Sequence, residues 1–208
     1  MRRRPLLLAP LLLAAPGRAR AFAPGFPPDL VAFVGSSTTA GVGASCHACA
    51  YPALAVGFLA GRVPGRLKAV VSGHPGADGD PIAEAAVAML DLRPRALVPQ
   101  IGANTALRGE DPESLSAPLQ TALAGCEARR VPVLVLGPQH APAIRSERHA
   151  AVERVLEAGA RRRCARWLAR RPGLPVGPDG LHHDDAGHDA LARLVADALL
   201  PMLLERPA

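Results

Sequence analysis

The stretch Leu30-Val31-Ala32-Phe33-Val34-Gly35-Ser36-Ser37 decides the fold class of this chain. It opens with a continuous apolar run, which is typical of a strand that is buried on both faces of a sheet. A glycine and two serines follow at once and predict a turn that presents a hydroxyl group at the carboxyl end of the strand. In an open parallel sheet, ligands bind at that end, so the turn is a candidate site.

Apolar, strand-like runs alternate with helical patterns along the rest of the chain. The predicted strands are residues 30–34, 67–72, 96–101 and 131–136, with a short fifth strand at 174–176. The predicted helices are residues 52–60, 82–90, 114–129, 147–170 and 186–204. This alternation predicts an α/β protein with three α/β/α layers, in which helices cover both faces of a central parallel sheet. We expect one domain, residues 29–208.

The first 21 residues have the pattern of a secretory signal peptide. Met1 to Arg4 form a positively charged start, Leu6 to Ala15 form a short apolar stretch, and Ala19-Arg20-Ala21 fits a cleavage site. We therefore expect residues 1–21 to be removed, residues 22–28 to be a linker, and the mature protein to be secreted or periplasmic. An uncleaved N-terminal anchor is the alternative. We expect no stable membrane span after cleavage, because no other segment is long and apolar enough.

The excess of positive charge lies largely in that leader. The chain has 24 basic and 18 acidic residues, and five of the arginines fall within residues 1–21. The remaining 19 basic and 18 acidic residues leave a net charge of +1, which gives no support to a nucleic-acid partner. Six arginines cluster toward the end of predicted helix 147–170, and we interpret them as a solvent-exposed face. They are Arg161, Arg162, Arg163, Arg166, Arg170 and Arg171.

Four cysteines, Cys46, Cys49, Cys126 and Cys164, lie in the predicted mature chain. They allow three complete disulfide pairings, and the sequence does not choose among them. Cys46-His47-Ala48-Cys49 has the spacing of a redox pair. Because it lies in a loop after the serine turn, we interpret it as a local structural disulfide or as free thiols. Zinc at Cys46, His47 and Cys49 would need a fourth ligand.

Four segments bring chemically active side chains to one edge of the predicted sheet. They are Ser36-Ser37 after the first strand, Gly73 to Gly79 after the second, Gly102 to Thr105 after the third, and Asp179 to His182 before the last helix. Acyl transfer needs a hydroxyl nucleophile, an imidazole base, a carboxylate that orients the base, and hydrogen-bond donors for the oxyanion. The four segments contain all of these groups.

These segments resemble, in order, the four blocks of the SGNH, or GDSL, hydrolase superfamily. Gly35-Ser36-Ser37, followed by Thr39 and Gly41, resembles the Gly-Asp-Ser block. Gly102-Ala103-Asn104-Thr105 resembles Gly-x-Asn-Asp, and Asp179 to His182 matches Asp-x-x-His without change. The resemblance covers most of the predicted mature chain. It implies a flavodoxin-like fold and no required cofactor or metal.

The resemblance also implies a role for each matched residue. Ser37 would be the nucleophile, His182 the base, and Asp179 the carboxylate that orients His182. The N–H groups of Ser37 and Gly76 and the side-chain amide of Asn104 would hold the oxyanion. The implied activity is that of a serine esterase, which hydrolyses acyl or acetyl esters through an acyl-enzyme intermediate, and the predicted leader makes it an exported one. Its substrate would be a small molecule or an ester on an envelope glycan or lipid.

Three departures from the family pattern leave alternatives open. Ser36 stands where the family usually has Asp, and Thr105 stands where it usually has a second Asp. The second block is matched loosely, so Gly73 rivals Gly76. A catalytically weak or silent binding domain on the same fold is therefore an alternative function.

Other polar clusters raise further hypotheses. A metal- or redox-linked periplasmic protein would use the Cys46 and Cys49 pair together with the cluster between His182 and His188. Gln139-His140 follows the fourth predicted strand and is a candidate for the wall of a pocket. The oligomeric state and the acyl and alcohol parts of the substrate are not predicted by the sequence.

Overall fold

Five parallel strands form the centre of the molecule. They are β1 (Asp29–Gly35), β2 (Leu67–Gly73), β3 (Ala96–Gln100), β4 (Leu134–Leu136) and β5 (Arg166–Leu168), and their order in the sheet is β2-β1-β3-β4-β5. The coordinates are a computed structural model that describes residues 29–205. The predicted signal peptide and linker, residues 1–28, lie outside the described part of the chain.

Helices cover both faces of this sheet, as the sequence predicted. They are α1 (Ser37–Ala40), α2 (Tyr51–Leu59), α3 (Asp80–Met89), α4 (Ala103–Arg108), α5 (Ser116–Ala128), α6 (Ser146–Arg162) and α7 (Asp185–Leu204). Helices α3, α5 and α6 pack on one face, and α2 and α7 pack on the other. The expected three-layer α/β/α architecture with a parallel sheet is confirmed.

Strand β1 shows why the sheet has continuous apolar strands. Val31 and Phe33 face the α2 and α7 layer, and Ala32 and Val34 face the opposite layer. All four side chains are fully buried, because both faces of the strand are covered. An alternating polar pattern would have placed polar groups in one of the two cores.

The region between residues 147 and 176 differs from the prediction. Helix α6 ends at Arg162, and Cys164 follows in the left-handed conformation with φ 53°. Residues Arg166–Leu168 form β5 by pairing in parallel with Leu134–Leu136. The predicted strand at 174–176 is loop. The prediction of one long helix was wrong because the periodicity of the local sequence contains no information about pairing with β4.

The arginines of this region do not form one solvated face. Arg161, Arg162 and Arg163 are exposed at the end of α6, and Arg166 is exposed on β5. Arg170, two residues beyond β5, is 2% exposed. The expectation of a solvent-exposed residue was wrong for Arg170.

The cysteines divide into one pair and two free thiols. Cys46 and Cys49 form a disulfide with their Cα atoms 5.1 Å apart, which is the local structural pairing considered from the sequence. Cys126 is buried and free, and Cys164 is exposed and free. Among the helices of the described chain, none is long and apolar enough to cross a membrane.

Candidate active site

The carboxyl edge of the sheet gathers the residues that the sequence selected. Ser37 begins α1 directly beyond β1, Gly76 lies in the loop after β2, and Asn104 lies in α4 after β3. Asp179 and His182 lie in the loop that leads into α7. The parallel arrangement places these loops at one edge because every strand ends there.

Ser37, His182 and Asp179 form a continuous chain of hydrogen bonds. His182 Nε2 lies 3.0 Å from Ser37 Oγ, and His182 Nδ1 lies 2.5 Å from Asp179 Oδ2. Asp179 Oδ1 also accepts hydrogen bonds from the backbone N–H groups of Leu181 and His182, at 2.9 and 3.0 Å. A hydroxyl, an imidazole and a carboxylate in this order are the groups needed to activate an alcohol.

The carboxylate of Asp179 is held in its charged form. The hydrogen bond from the N–H of Leu181, followed by those from the side chain and N–H of His182, lowers its pKa to about 2. An ionised carboxylate accepts the Nδ1 proton of His182 and leaves Nε2 free to take a proton from Ser37. Asp179 does not cap the last helix, because that position belongs to Asp184, which accepts from Gly187 N at 2.8 Å.

The turn before Ser37 is fixed by a buried amide at the end of β3. Gln100 Oε1 accepts from Ser36 N at 3.0 Å and from Thr39 Oγ1 at 3.1 Å, and Gln100 Nε2 donates to Ser36 Oγ at 3.0 Å. A Cβ at Gly35 would lie 2.3 Å from Thr39 Oγ1, so only glycine fits beside this network. Ser36, which replaces the usual family Asp, therefore has a complete set of partners.

A second carboxylate, Asp78, binds the start of α4, the helix that carries Asn104. Asp78 Oδ1 accepts from Gly102 N at 2.5 Å, and Asp78 Oδ2 accepts from Thr105 N at 2.9 Å. Asn104 Nδ2 donates to Ala77 O at 3.0 Å. The loops after β2 and β3 are thus joined, although position 105 itself has no carboxylate.

The two candidate glycines of the second block differ in position. Gly73 is the last residue of β2, paired with Gly35, and a Cβ there would lie 2.4 Å from Ala40 Cα. Gly76 lies in the exposed turn with φ 80°, directly before the Ala77 carbonyl that Asn104 contacts. Gly76 therefore lies on the same side of the site as Asn104, whereas Gly73 packs against α1.

The histidine cluster after the site is engaged in hydrogen bonds that hold loops together. His183 Nδ1 donates to Pro175 O at 2.8 Å, while His188 Nδ1 accepts from Tyr51 N and its Nε2 donates to Val42 O, each at 3.3 Å. Burial lowers the pKa of both histidines, that of His183 to about 4. Within residues 29–205, no three His, Cys, Asp or Glu side chains are grouped as a metal site.

Comparison with known proteins identifies the family. The model of the GDSL-like lipase/acylhydrolase family matches residues 33–190. The chain belongs to this family. It is therefore a carboxylic ester hydrolase by class. No curated protein matches the chain.

Solved structures show the same fold as this GDSL-like hydrolase. TesA is 24% identical with a TM-score of 0.72, and the match covers 84% of this chain and 99% of TesA. The lipase/acylhydrolase from Enterococcus faecalis is 18% identical with a TM-score of 0.68, over 86% of this chain and 100% of that one. The esterase EstA from Pseudoalteromonas sp., in a form inhibited by monoethylphosphonate, is 13% identical with a TM-score of 0.71, over 85% and 100%.

A cavity of about 440 Å³ borders the loop that carries Asp179 and His182 in this GDSL-like hydrolase. Its wall is mostly apolar and includes Pro142. The wall adjoins the loop at Gly180, where a Cβ would contact Pro142 and whose carbonyl oxygen accepts from Ala143 N at 3.2 Å. His140 lines this cavity, whereas Gln139 is buried below the site. A larger cavity of about 1100 Å³ includes Asp29 and Arg95 at the opposite end of the sheet.

Sequence reasoning missed three polar residues that support the site of the GDSL-like hydrolase. Gln100 ends an otherwise apolar strand, and Asp78 lies inside a glycine-rich loop. A polar side chain at either position was a signal of hydrogen bonds that support the site. Arg170 was missed because the helix prediction placed it on a solvated face. Arginine is rarely buried, so neither composition nor pattern indicated its position.

Proposed function

We propose that this protein is an exported serine esterase that cleaves acyl or acetyl esters through an acyl-enzyme intermediate. The observation that carries the proposal is the 3.0 Å contact between Ser37 Oγ and His182 Nε2. Asp179, held ionised on the far side of the imidazole, supports the same assignment. The order of groups is the one that makes an alcohol nucleophilic near neutral pH.

In the first half of the reaction, Ser37 Oγ attacks the ester carbonyl carbon while its proton passes to His182 Nε2. The imidazolium that forms is stabilised by Asp179. His182 then returns the proton to the alcohol oxygen as the ester bond breaks, which leaves the acyl group on Ser37. In the second half, a water molecule attacks the acyl carbonyl carbon while its proton passes to His182 Nε2. His182 returns the proton to Ser37 Oγ as the ester bond to Ser37 breaks and the acid is released.

The oxyanion of each tetrahedral intermediate is held by donors from the three segments that follow β1, β2 and β3. Ser37 is the first residue of α1, so its N–H belongs to a helical turn that leaves early N–H groups without helical partners. Asn104 Nδ2 carries two hydrogens, of which one is used on Ala77 O and the other remains for substrate. The N–H of Gly76 is the third donor. Preorganised donors of this kind contribute about 3–4 kcal/mol each to the transition state.

The cavity beside Pro142 is the site that we propose for the acid or alcohol portion of the substrate. Its volume, about 440 Å³, lies in the usual range of small-molecule sites, and its apolar wall favours a hydrocarbon group. Export rests on the charged start, apolar stretch and cleavage pattern of residues 1–21. An exported esterase would meet acyl or acetyl groups on envelope glycans or lipids.

A panel of esters tests this function. Purified protein is assayed with p-nitrophenyl esters of increasing acyl length and with acetylated sugars, beside the Ser37→Ala variant. We expect hydrolysis by the wild type and a loss of at least about 10⁴-fold in kcat for the variant. A wild type that binds these esters but hydrolyses none of them would favour the silent binding domain and contradict the proposal.

A further inference from the structure

Gln139 is a buried amide that joins the nucleophile helix to the base loop. Thr38 Oγ1 donates to Gln139 Oε1 at 2.9 Å, and Gln139 Nε2 donates to Leu181 O at 3.2 Å. Thr38 directly follows Ser37, and Leu181 directly precedes His182. Gln139 is 2% exposed, so its contacts lie beneath the site and away from solvent.

Arg170 is the fourth member of this network, after Thr38, Gln139 and Leu181. Its Nη1 donates to Gln139 Oε1 at 3.1 Å, and the residue is 2% exposed. Burial lowers its pKa to about 10, so the guanidinium is still charged at neutral pH. Within residues 29–205, Arg170 has no ion pair, and its Nε and Nη2 atoms have no hydrogen-bond partner.

This arrangement is unfavourable for stability alone. Burying an unpaired charge costs several kcal/mol, and an apolar side chain of similar volume would fill the same space without that cost. The one hydrogen bond that the Arg170 side chain makes within the described chain ends on Gln139. Because both Thr38 and Arg170 donate to Oε1, the amide of Gln139 is fixed with Nε2 toward Leu181.

We propose that Arg170 and Gln139 are a positioning pair that holds Ser37 and His182 at reacting distance. Gln139 connects the backbone neighbours of both residues, and Arg170 sets the orientation of Gln139. Among the hydrogen bonds of residues 29–205, none joins either side chain to Ser37 Oγ or to the imidazole of His182. The inference rests on the proposed function, because it assigns the pair a role in the Ser37 and His182 reaction.

Kinetics of two variants test the pair. Arg170→Met and Gln139→Met remove the network and keep side chains of comparable length. We expect kcat to fall by about 10- to 100-fold in each, because small displacements of reacting groups are costly, while KM stays within about twofold. The rate at which a fluorophosphonate labels Ser37 should fall in parallel, since that reaction also needs the serine beside its base.

Arg95→Met is the matched control. Arg95 is also tied by hydrogen bonds, to Asp29 Oδ2 at 2.8 Å and to Leu203 O at 2.6 Å, but it lies at the opposite end of the sheet. Its removal should lower thermal stability and leave kcat unchanged at a temperature well below unfolding. Equal losses of kcat in Arg95→Met and Arg170→Met would show a general effect of destabilisation and overturn the proposal.

The kinetics of the folded variants can also overturn the proposal directly. Folded Arg170→Met and Gln139→Met with kcat within twofold of the wild type would overturn the proposal, as would a loss confined to KM. If Arg170→Met does not fold, Gln139→Met and the milder Thr38→Val decide by the same criteria. An inactive wild type that no phosphonate labels would instead contradict the proposed function, so the two failures are distinguishable.

Discussion

Ser37 Oγ lies 3.0 Å from His182 Nε2, although 145 residues separate the two along the chain. The loop that follows Ser37 is hydrogen-bonded to the start of α7, the helix that follows His182. Ser45 N and Ser45 Oγ donate to the two carboxylate oxygens of Asp185, at 2.7 and 2.6 Å. His188 on the same helix donates to Val42 O at 3.3 Å. Contacts outside the pair therefore join the segments that carry Ser37 and His182.

Replacing Asp179 by Asn should lower kcat by about 10²- to 10⁴-fold, because a neutral amide does not stabilise the imidazolium and its NH₂ group can hold His182 in the wrong tautomer. Steady-state kinetics at pH 7 measure the effect. Asp189→Asn, which alters an exposed carboxylate paired with Arg193, is the control and should leave kcat unchanged. An Asp179→Asn enzyme with kcat within threefold of the wild type would contradict the assignment.

Asn104→Ala should lower kcat by about 10²- to 10³-fold with little change in KM, because it removes a donor that acts mainly on the transition state. The control is Gln120→Ala, which deletes an amide that donates to Gly159 O away from the site. A change in KM alone would show that Asn104 holds ground-state substrate instead of the oxyanion.

Gln100→Leu should destabilise the fold by about 2–4 kcal/mol, since it leaves the buried N–H of Ser36 and the hydroxyl groups of Ser36 and Thr39 without this partner. Urea denaturation followed by circular dichroism measures the change. Gln120→Leu, which removes a half-buried amide that donates to Gly159 O and accepts from Arg163, should cost only about 1 kcal/mol. Equal stability of Gln100→Leu and the wild type would show that the network contributes little.

Stability should fall as the pH is lowered from about 6.5 to about 4. Burial lowers the pKa of His183 from its ordinary value of 6.5 to about 4, so in this window the unfolded chain binds a proton that the folded protein does not. The contribution is present above pH 6.5, and roughly 2–3 kcal/mol of it is lost by pH 4.5. Burial lowers the pKa of His188 as well, which adds in the same direction.

Urea denaturation at pH 7 and pH 4.5 measures this loss. It should be smaller in His183→Gln, which has no titrating ring at that position, and unchanged in His47→Gln, which alters an exposed histidine. The same pH dependence in His183→Gln and the wild type would show that other groups cause it.

The sequence predicted correctly which segments lie at the carboxyl edge of the sheet, because the patterns that mark them span only a few adjacent residues. Strand β1, the turn at Ser37 and the spacing between Asp179 and His182 each depend on a few adjacent residues. The sequence therefore indicated which loops meet at the carboxyl ends of the strands. The distances between those loops depend on packing, and only the structure provides them.

The errors lie where tertiary contacts override local pattern. Residues 163–170 continue a helical, arginine-rich pattern, yet Arg166–Leu168 pair with β4 and Arg170 is buried beneath the site. The carboxylate of Asp78 acts on the loop after β3, a role that spacing along the chain does not reveal. These residues support the site from neighbouring loops.

Covalent labelling of the nucleophile tests the central claim most directly. Wild-type protein is treated with a fluorophosphonate, its intact mass is measured, and the modified peptide is mapped. We predict one adduct, on Ser37, which forms more slowly in His182→Ala. Ser37→Ala should show neither the adduct nor esterase activity. An adduct on another serine, or ester hydrolysis that persists in Ser37→Ala, would contradict the account.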